Sequence, residues 1–183
     1  MENNATKNLT RIALMSALIA VCSWISIPTP VPFTLQTFAV FLALEVLGGK
    51  NGTTAIALYI LLGAVGLPVF SGFTGGLGKL FGATGGYILG FLISGLLYWL
   101  VERLFGNRLP YRIVSVVLGL LLCYAFGTIW FQHLYSATNV PVSIGTVLGW
   151  CVIPFLIPDA IKIALAFTVG KLLQKALQTS FEN

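Results

Sequence analysis

The chain is short of charge. Only 8% of its 183 residues are charged, against roughly 25% in a soluble domain, so an ordinary water-facing surface cannot be built from this set. Acids are scarcer still, with five Asp and Glu against ten Lys and Arg. There is one histidine, and the three cysteines, Cys22, Cys123 and Cys151, stand far apart. That inventory shows no metal-ligand spacing and no redox pair, so no metal site is expected and the cysteines read as small apolar packing residues. It is also thin for an intramembrane enzyme, which needs a nucleophile with a positioned base or a metal cluster, and no catalytic residue is assigned. No cluster of Lys and Arg with interleaved aromatics marks a nucleic-acid partner. The segment GLGKLFG (76–82) fails both phosphate patterns. Leu80 stands where a P-loop needs Ser or Thr, and the glycines are wrongly spaced for a dinucleotide turn. No nucleotide site and no cofactor are expected.

What the chain has is apolar length. Hydrophobic residues make up 57% of it, and the mean hydropathy is +0.96. The alternating pattern of a membrane barrel is absent. The predicted fold class is an all-α integral membrane protein, a single membrane domain of six transmembrane helices, each needing about 20 mostly apolar residues. The spans read as about 9–27, 34–47, 53–67, 85–104, 112–132 and 158–177, with a short outer helix at about 142–153. Spans two and three are short, and tilt, a kink or neighbouring helices would accommodate them. Pro154 and Pro158 interrupt the last run, and proline suits a first helical turn, so the final helix starts near Pro158. The first apolar stretch follows a basic N-terminus but lacks a convincing small-residue cleavage site, and is kept as a span.

Basic residues sort by side under this count. Lys7, Arg11, Lys50, Arg103, Arg108, Arg112, Lys171 and Lys175 all fall on one face, and the opposite loops hold only Lys79 and His133. Lys and Arg bias loops toward the cytoplasm. The expected location is the cell (plasma) membrane, multi-pass, with both termini cytoplasmic. The outer loops are then 28–33, 68–84 and 133–158, rich in proline, glycine or aromatic residues, and together they could cover a ligand pocket.

Four features carry chemistry. Asp159 and Lys162 lie in IPDAIKIALA. A charge inside a span costs roughly 2.5 to 3.5 kcal/mol on insertion scales and marks a functional site by default. At i and i+3 the pair shares a helix face; it either binds a polar ligand or only neutralises itself and caps the helix. The stretch GFTGGLGKLFGATGGYILGF (72–91) has two halves. Gly86 and Gly90 carry the small-xxx-small spacing of helix packing, whereas Gly72 to Gly82 belong to a loop where glycine permits close approach to a ligand. Gly85, Gly86 and Tyr87 at the mouth of span four, and Lys79 in the loop, are candidate ligand residues. Thr34, Gln36 and Thr37 open span two, and Gln36 can both donate and accept. Ala13, Ala17 and Ala20 form a small-residue stripe on span one that suits close packing, within the bundle or against a partner. Glu45 and Glu102 lie at span ends and are expected to snorkel or pair with nearby Lys50 and Arg103.

These pieces, in this order, resemble the BioY family, the biotin-specific substrate-binding (S) components of energy-coupling factor (ECF) transporters. The resemblance rests on PVPFTLQTFAV (30–40), GLPVFSGFTGGLGKLFGATGGYILGF (66–91) and PFLIPDAIKIALA (154–166), and spans most of the chain from Ala13 onward. One departure is Ala83, where relatives often carry proline before TGGY. The resemblance implies six helices and biotin bound from outside under the loops before spans two and four. Asp159 and Lys162 would contact its polar atoms. It also implies docking, through a stripe matched here by Ala13 and Ala17, to a transmembrane coupling protein driven by two cytoplasmic ATPases. The S component would then reorient as a body to release biotin inside. A stand-alone secondary transporter of another small solute is the alternative reading, although no convincing repeat relates the halves.

Overall fold

The computed structural model describes residues 3–138 and 141–179. The elements run α1 (Asn3–Trp24), β1 (Ser26–Ile27), β2 (Phe33–Thr34), α2 (Gln36–Ala64), α3 (Leu77–Leu80), α4 (Gly85–Phe105), α5 (Leu109–Thr138) and α6 (Ile144–Cys151). A 3-10 turn (Ile153–Phe155) then leads into α7 (Leu156–Thr179). The only sheet among the described residues is the hairpin β1–β2, which pairs Ser26 with Thr34 and Ile27 with Phe33.

Four stretches are long and apolar enough to cross a membrane: Ala5–Trp24, Gly85–Phe105, Leu109–Ala137 and Ile144–Lys175. Six were expected. The difference lies in α2, which takes the place of spans two and three. It is one helix in hydrogen-bond pattern but is broken at Gly48 (φ 76°, ψ 172°). That φ is open to glycine and strained for other residues. The break leaves segments 36–47 and 49–64, each too short to count alone. The chain bends so sharply there that a Cβ on Gly52 would sit 2.8 Å from Leu44 Cα. Glu102 holds the bend: its Oε2 accepts from Gly49 N at 2.7 Å, and a carboxylate at the start of a helical segment is favoured by the exposed N–H groups there.

The ends of the other helices also shift. Helix α5 continues to Thr138, so much of the expected outer loop 133–158 is helical, and exposed His133 stands on that helix. Asn139 and Val140 of that loop lie outside the described residues. Helix α7 opens at Leu156, which puts Pro158 and Asp159 in its first turn.

The α4–α5 seam is glycine-lined on both sides. A Cβ at Gly86 would lie 2.4 Å from Trp130 Cβ, one at Gly90 2.7 Å from Cys123 Sγ, and one at Gly127 2.3 Å from the Tyr87 ring. Backbones thus approach as small-residue interfaces allow. Outward faces are apolar instead: Leu96, Leu100, Leu118, Leu121, Ile161 and Leu165 are exposed. Contiguous apolar surface on this scale marks contact with a non-aqueous phase, and the chain is a multi-pass helical membrane protein.

Glu45 corrects a local reading. It is 2% exposed and forms an ion pair not with nearby Lys50 but with Arg112 of α5. Tyr98 OH donates to its Oε1 at 3.0 Å, so α2, α4 and α5 are tied by one buried polar cluster. The cation of Arg112 also stands 5.7 Å from the Phe167 ring of α7.

Candidate ligand site

Three helices begin around one cavity. Gln36 and Thr37 open α2, Thr84 precedes α4, and Asp159 stands in the first turn of α7, and all four line it. The space is about 660 Å³ with its open mouth included. Helix starts present unpaired N–H groups, so their convergence favours electron-rich ligand atoms.

The loops close round these starts. Thr29 Oγ1 donates to Val31 O in the hairpin turn, and Leu35 N donates to Ile25 O at 3.1 Å, which fixes Val31, Pro32 and Thr34 against the cavity. The glycine-rich loop folds through a bridge between Phe70 and Thr74. The Phe73 ring stacks on Trp24 at 5.0 Å, and Gly76 N donates to Gly63 O at 2.7 Å. Close packing anchors the loop: a Cβ on Gly63 would fall 2.0 Å from Phe70 Cζ. Its short helix α3 carries half-buried Lys79 to the cavity wall.

Asp159 and Lys162 are 2% and 6% exposed. Lys162 Nζ donates to Asp159 Oδ1 at 2.7 Å and lies 4.3 Å from the Phe33 ring centre, a cation–π distance. Tyr124 OH donates to Asp159 Oδ2 at 2.5 Å. Both carboxylate oxygens are therefore held, yet each retains acceptor capacity. Gln36 differs. It is 5% exposed, and its Nε2 has no hydrogen-bond partner among the described residues. A buried donor left unpaired costs roughly 1–3 kcal/mol, so this amide is suited to a partner that arrives from the cavity it lines.

Of the sequence candidates, Thr34, Gln36, Lys79, Tyr87, Asp159 and Lys162 converge on this cavity. Gly85 and Gly86 do not line it. A Cβ on Gly85 would collide with Leu80 O at 1.6 Å, and Gly86 is pressed against Trp130, so both serve packing of the loop and the α4–α5 seam. Tyr87 turns its hydroxyl toward Thr128, at 3.1 Å. Sequence reasoning missed Tyr124, a hydroxyl embedded in the apolar run of α5; its signal was that a buried Tyr hydroxyl needs a partner. It also treated Cys123 and Cys151 as packing residues, whereas both stand in the cavity wall. The stripe on α1 divides, with Ala13 and Ala17 exposed and Ala20 buried in the core.

A helical membrane bundle with a largely apolar cavity and a few convergent polar groups has the architecture in which small-molecule sites are commonly built. Comparison with known proteins gives the particular kind. A family model of the BioY family matches residues 1–179. The chain is 41% identical over 170 residues to the biotin transporter BioY of Thermotoga maritima, covering 92% of this chain and 96% of that one. It is also 41% identical over 179 residues to biotin transporter BioY2 of Lactococcus lactis subsp. cremoris, covering 97% and 95%. Among solved structures it resembles the crystal structure of the S-component for biotin from an ECF-type ABC transporter, with a TM-score of 0.83, 28% identity, and 96% and 94% coverage. The chain belongs to the BioY family. That membership places it among transport proteins and outside the enzymes.

Proposed function

We propose that this chain is the biotin-binding specificity subunit of an ECF-type vitamin uptake transporter. It captures biotin at the outer end of the bundle and delivers it inward with a transmembrane coupling protein and two cytoplasmic ATPases. In this reading the polypeptide crosses the bilayer six times, the two segments of α2 each making a short crossing, with both termini in the cytoplasm. The distribution of Lys and Arg supports that orientation. Ala13 and Ala17, exposed on α1, form the surface offered to the coupling protein, while buried Ala20 belongs to the bundle. No cofactor is assigned.

The observation that carries the reading is the Gln36 Nε2, unpartnered among the described residues, on a side chain that lines the same cavity as the Asp159–Lys162 pair. Biotin has a cyclic urea with two N–H donors and one carbonyl acceptor. A carboxylate and an amide N–H complement those groups, and the apolar wall suits its thioether ring and alkyl tail. Thr34, Thr37, Thr84, Tyr87 and Tyr124 add hydroxyl groups to the lining, and half-buried Lys79 stands in its wall.

Titration calorimetry on the purified chain without ATP is expected to show saturable biotin binding and none with an unrelated vitamin. Vesicles holding this chain alone are expected to bind biotin without sustained uptake. Absence of biotin binding, with binding of another vitamin, would contradict the reading; ATP-independent accumulation would instead favour a stand-alone transporter.

A further inference from the structure

Away from the ligand cavity, helix α4 presents a further hollow on its membrane-facing side. We infer that it seats one anionic phospholipid, with the headgroup phosphate on Arg103 and an acyl chain along Leu96 and Leu100. The inference rests on the chain being a helical membrane protein and is independent of the biotin reading.

Leu96, Trp99, Leu100 and Arg103 line a space of about 420 Å³ with its open side included. Their spacing of i, i+3, i+4 and i+7 places them on one helix face. That face is ordered along the axis. Helix α4 starts at Gly85, one residue after Thr84 of the ligand cavity, and Arg103 stands in its last turn. Eighteen residues at 1.5 Å each separate the two by about 27 Å. The hydrocarbon core is about 30 Å thick, so Arg103 reaches headgroup level in the leaflet opposite the cavity. Leu96 lies about 10 Å back toward the midplane, at acyl-chain depth. Trp99 falls between them, and indole rings favour that boundary.

Charge and size select the occupant. Exposed Arg103 forms no ion pair among the described residues. Glu102, its neighbour in sequence, is turned to the seam with α2, where its Oε2 accepts from Gly49 N at 2.7 Å. The break in α2 supplies a second cation. Gly49 is pressed onto α4, since a Cβ there would lie 2.5 Å from Trp99 Cα, and exposed Lys50 is the next residue. Two cations from different elements thus flank one apolar hollow. The guanidinium fork matches phosphate oxygens in a bidentate contact, and the Trp99 ring, 36% exposed, carries an indole N–H donor for a lipid ester oxygen. A zwitterionic lipid brings its own cation, which these two repel. Four side chains of one helix fall far short of the roughly 20–30 residues that each partner gives to a stable protein interface, so a single lipid is the fitting occupant.

The test is native mass spectrometry of the full chain in mild detergent, titrated with phosphatidylglycerol or with phosphatidylcholine of the same acyl chains. Wild type is expected to hold one phosphatidylglycerol about tenfold or more above phosphatidylcholine, since each basic group near an anionic headgroup contributes about fivefold. Arg103→Gln is expected to lose about five- to tenfold on phosphatidylglycerol and less than about twofold on phosphatidylcholine. Arg103→Lys keeps the charge and is expected to stay within about threefold of wild type. Lys171→Gln removes an exposed cation from α7 and is expected to change neither lipid by more than about twofold. Thermal unfolding in lipid-free detergent is expected to be the same for all four proteins. Equal retention of the two lipids by wild type, wild-type retention by Arg103→Gln, or an equal loss from Lys171→Gln would overturn the site. A dimer in the same spectra that Arg103→Gln abolishes would overturn it too, because a second copy of the chain would then occupy the face.

Discussion

Asp159→Asn is expected to weaken biotin binding by at least about a hundredfold. The carboxylate is 2% exposed and lines the cavity, and hydrogen bonds to a charged group contribute about 1.5–3 kcal/mol each. Two such bonds to the urea N–H groups account for that factor. The single substitution has a second consequence. It strands Lys162 as a buried cation, and breaking a buried pair from one side costs about 3–5 kcal/mol of stability. The double variant Asp159→Asn, Lys162→Met separates the two effects. It removes the stranded charge and is expected to recover most of the thermal stability while still failing to bind biotin. A double variant that binds as wild type would make the pair a purely structural feature.

The second large effect lies near the end of the first segment of α2. Glu45 is nine residues beyond Gln36, about 14 Å along the helix at 1.5 Å per residue. Arg112→Met leaves the Glu45 carboxylate buried with only the Tyr98 hydroxyl. The expected cost is again about 3–5 kcal/mol, or a fall in Tm on the order of 10 °C for a chain of this size, measured by thermal unfolding in detergent. Glu45→Gln added to Arg112→Met is expected to recover most of the loss, because no buried charge then lacks a partner. Biotin affinity of the folded fraction is expected to stay within about twofold of wild type, since neither residue lines the cavity. An Arg112→Met variant as stable as wild type would show that the cluster adds nothing.

These two sites mark the reach of sequence reasoning. Asp159 and Lys162 were legible because a charge inside an apolar run is expensive and so carries information wherever it stands. The glycine stretch was legible in halves, since helix packing and loop conformation use glycine at different spacings. Glu45 was not legible. Its partner is 67 residues away, and local spacing pointed to Lys50 instead. Tyr124 was hidden for the same reason, as its role exists only because α5 brings it to α7. Span counting faltered where the chain breaks its own helix. Gly48 permits the bend, but the hydrogen-bond pattern runs through it, and neither segment of α2 has the length of an ordinary crossing. Gly85 and Gly86 stand at the mouth of span four as the sequence suggests, but there they pack against Leu80 and Trp130 and not against the cavity.

The central claim is that this chain alone forms a biotin site, with the deep polar groups built by α2 and α7. The most direct test is the small molecule that stays with it. The chain is expressed in cells supplied with biotin, purified in mild detergent without its partners, and denatured, and the released compound is identified by mass spectrometry. Biotin in near-equimolar amount from wild type, and none from the Asp159→Asn, Lys162→Met double variant, is the predicted result. A different vitamin from wild type, or equal biotin from both proteins, would contradict the account.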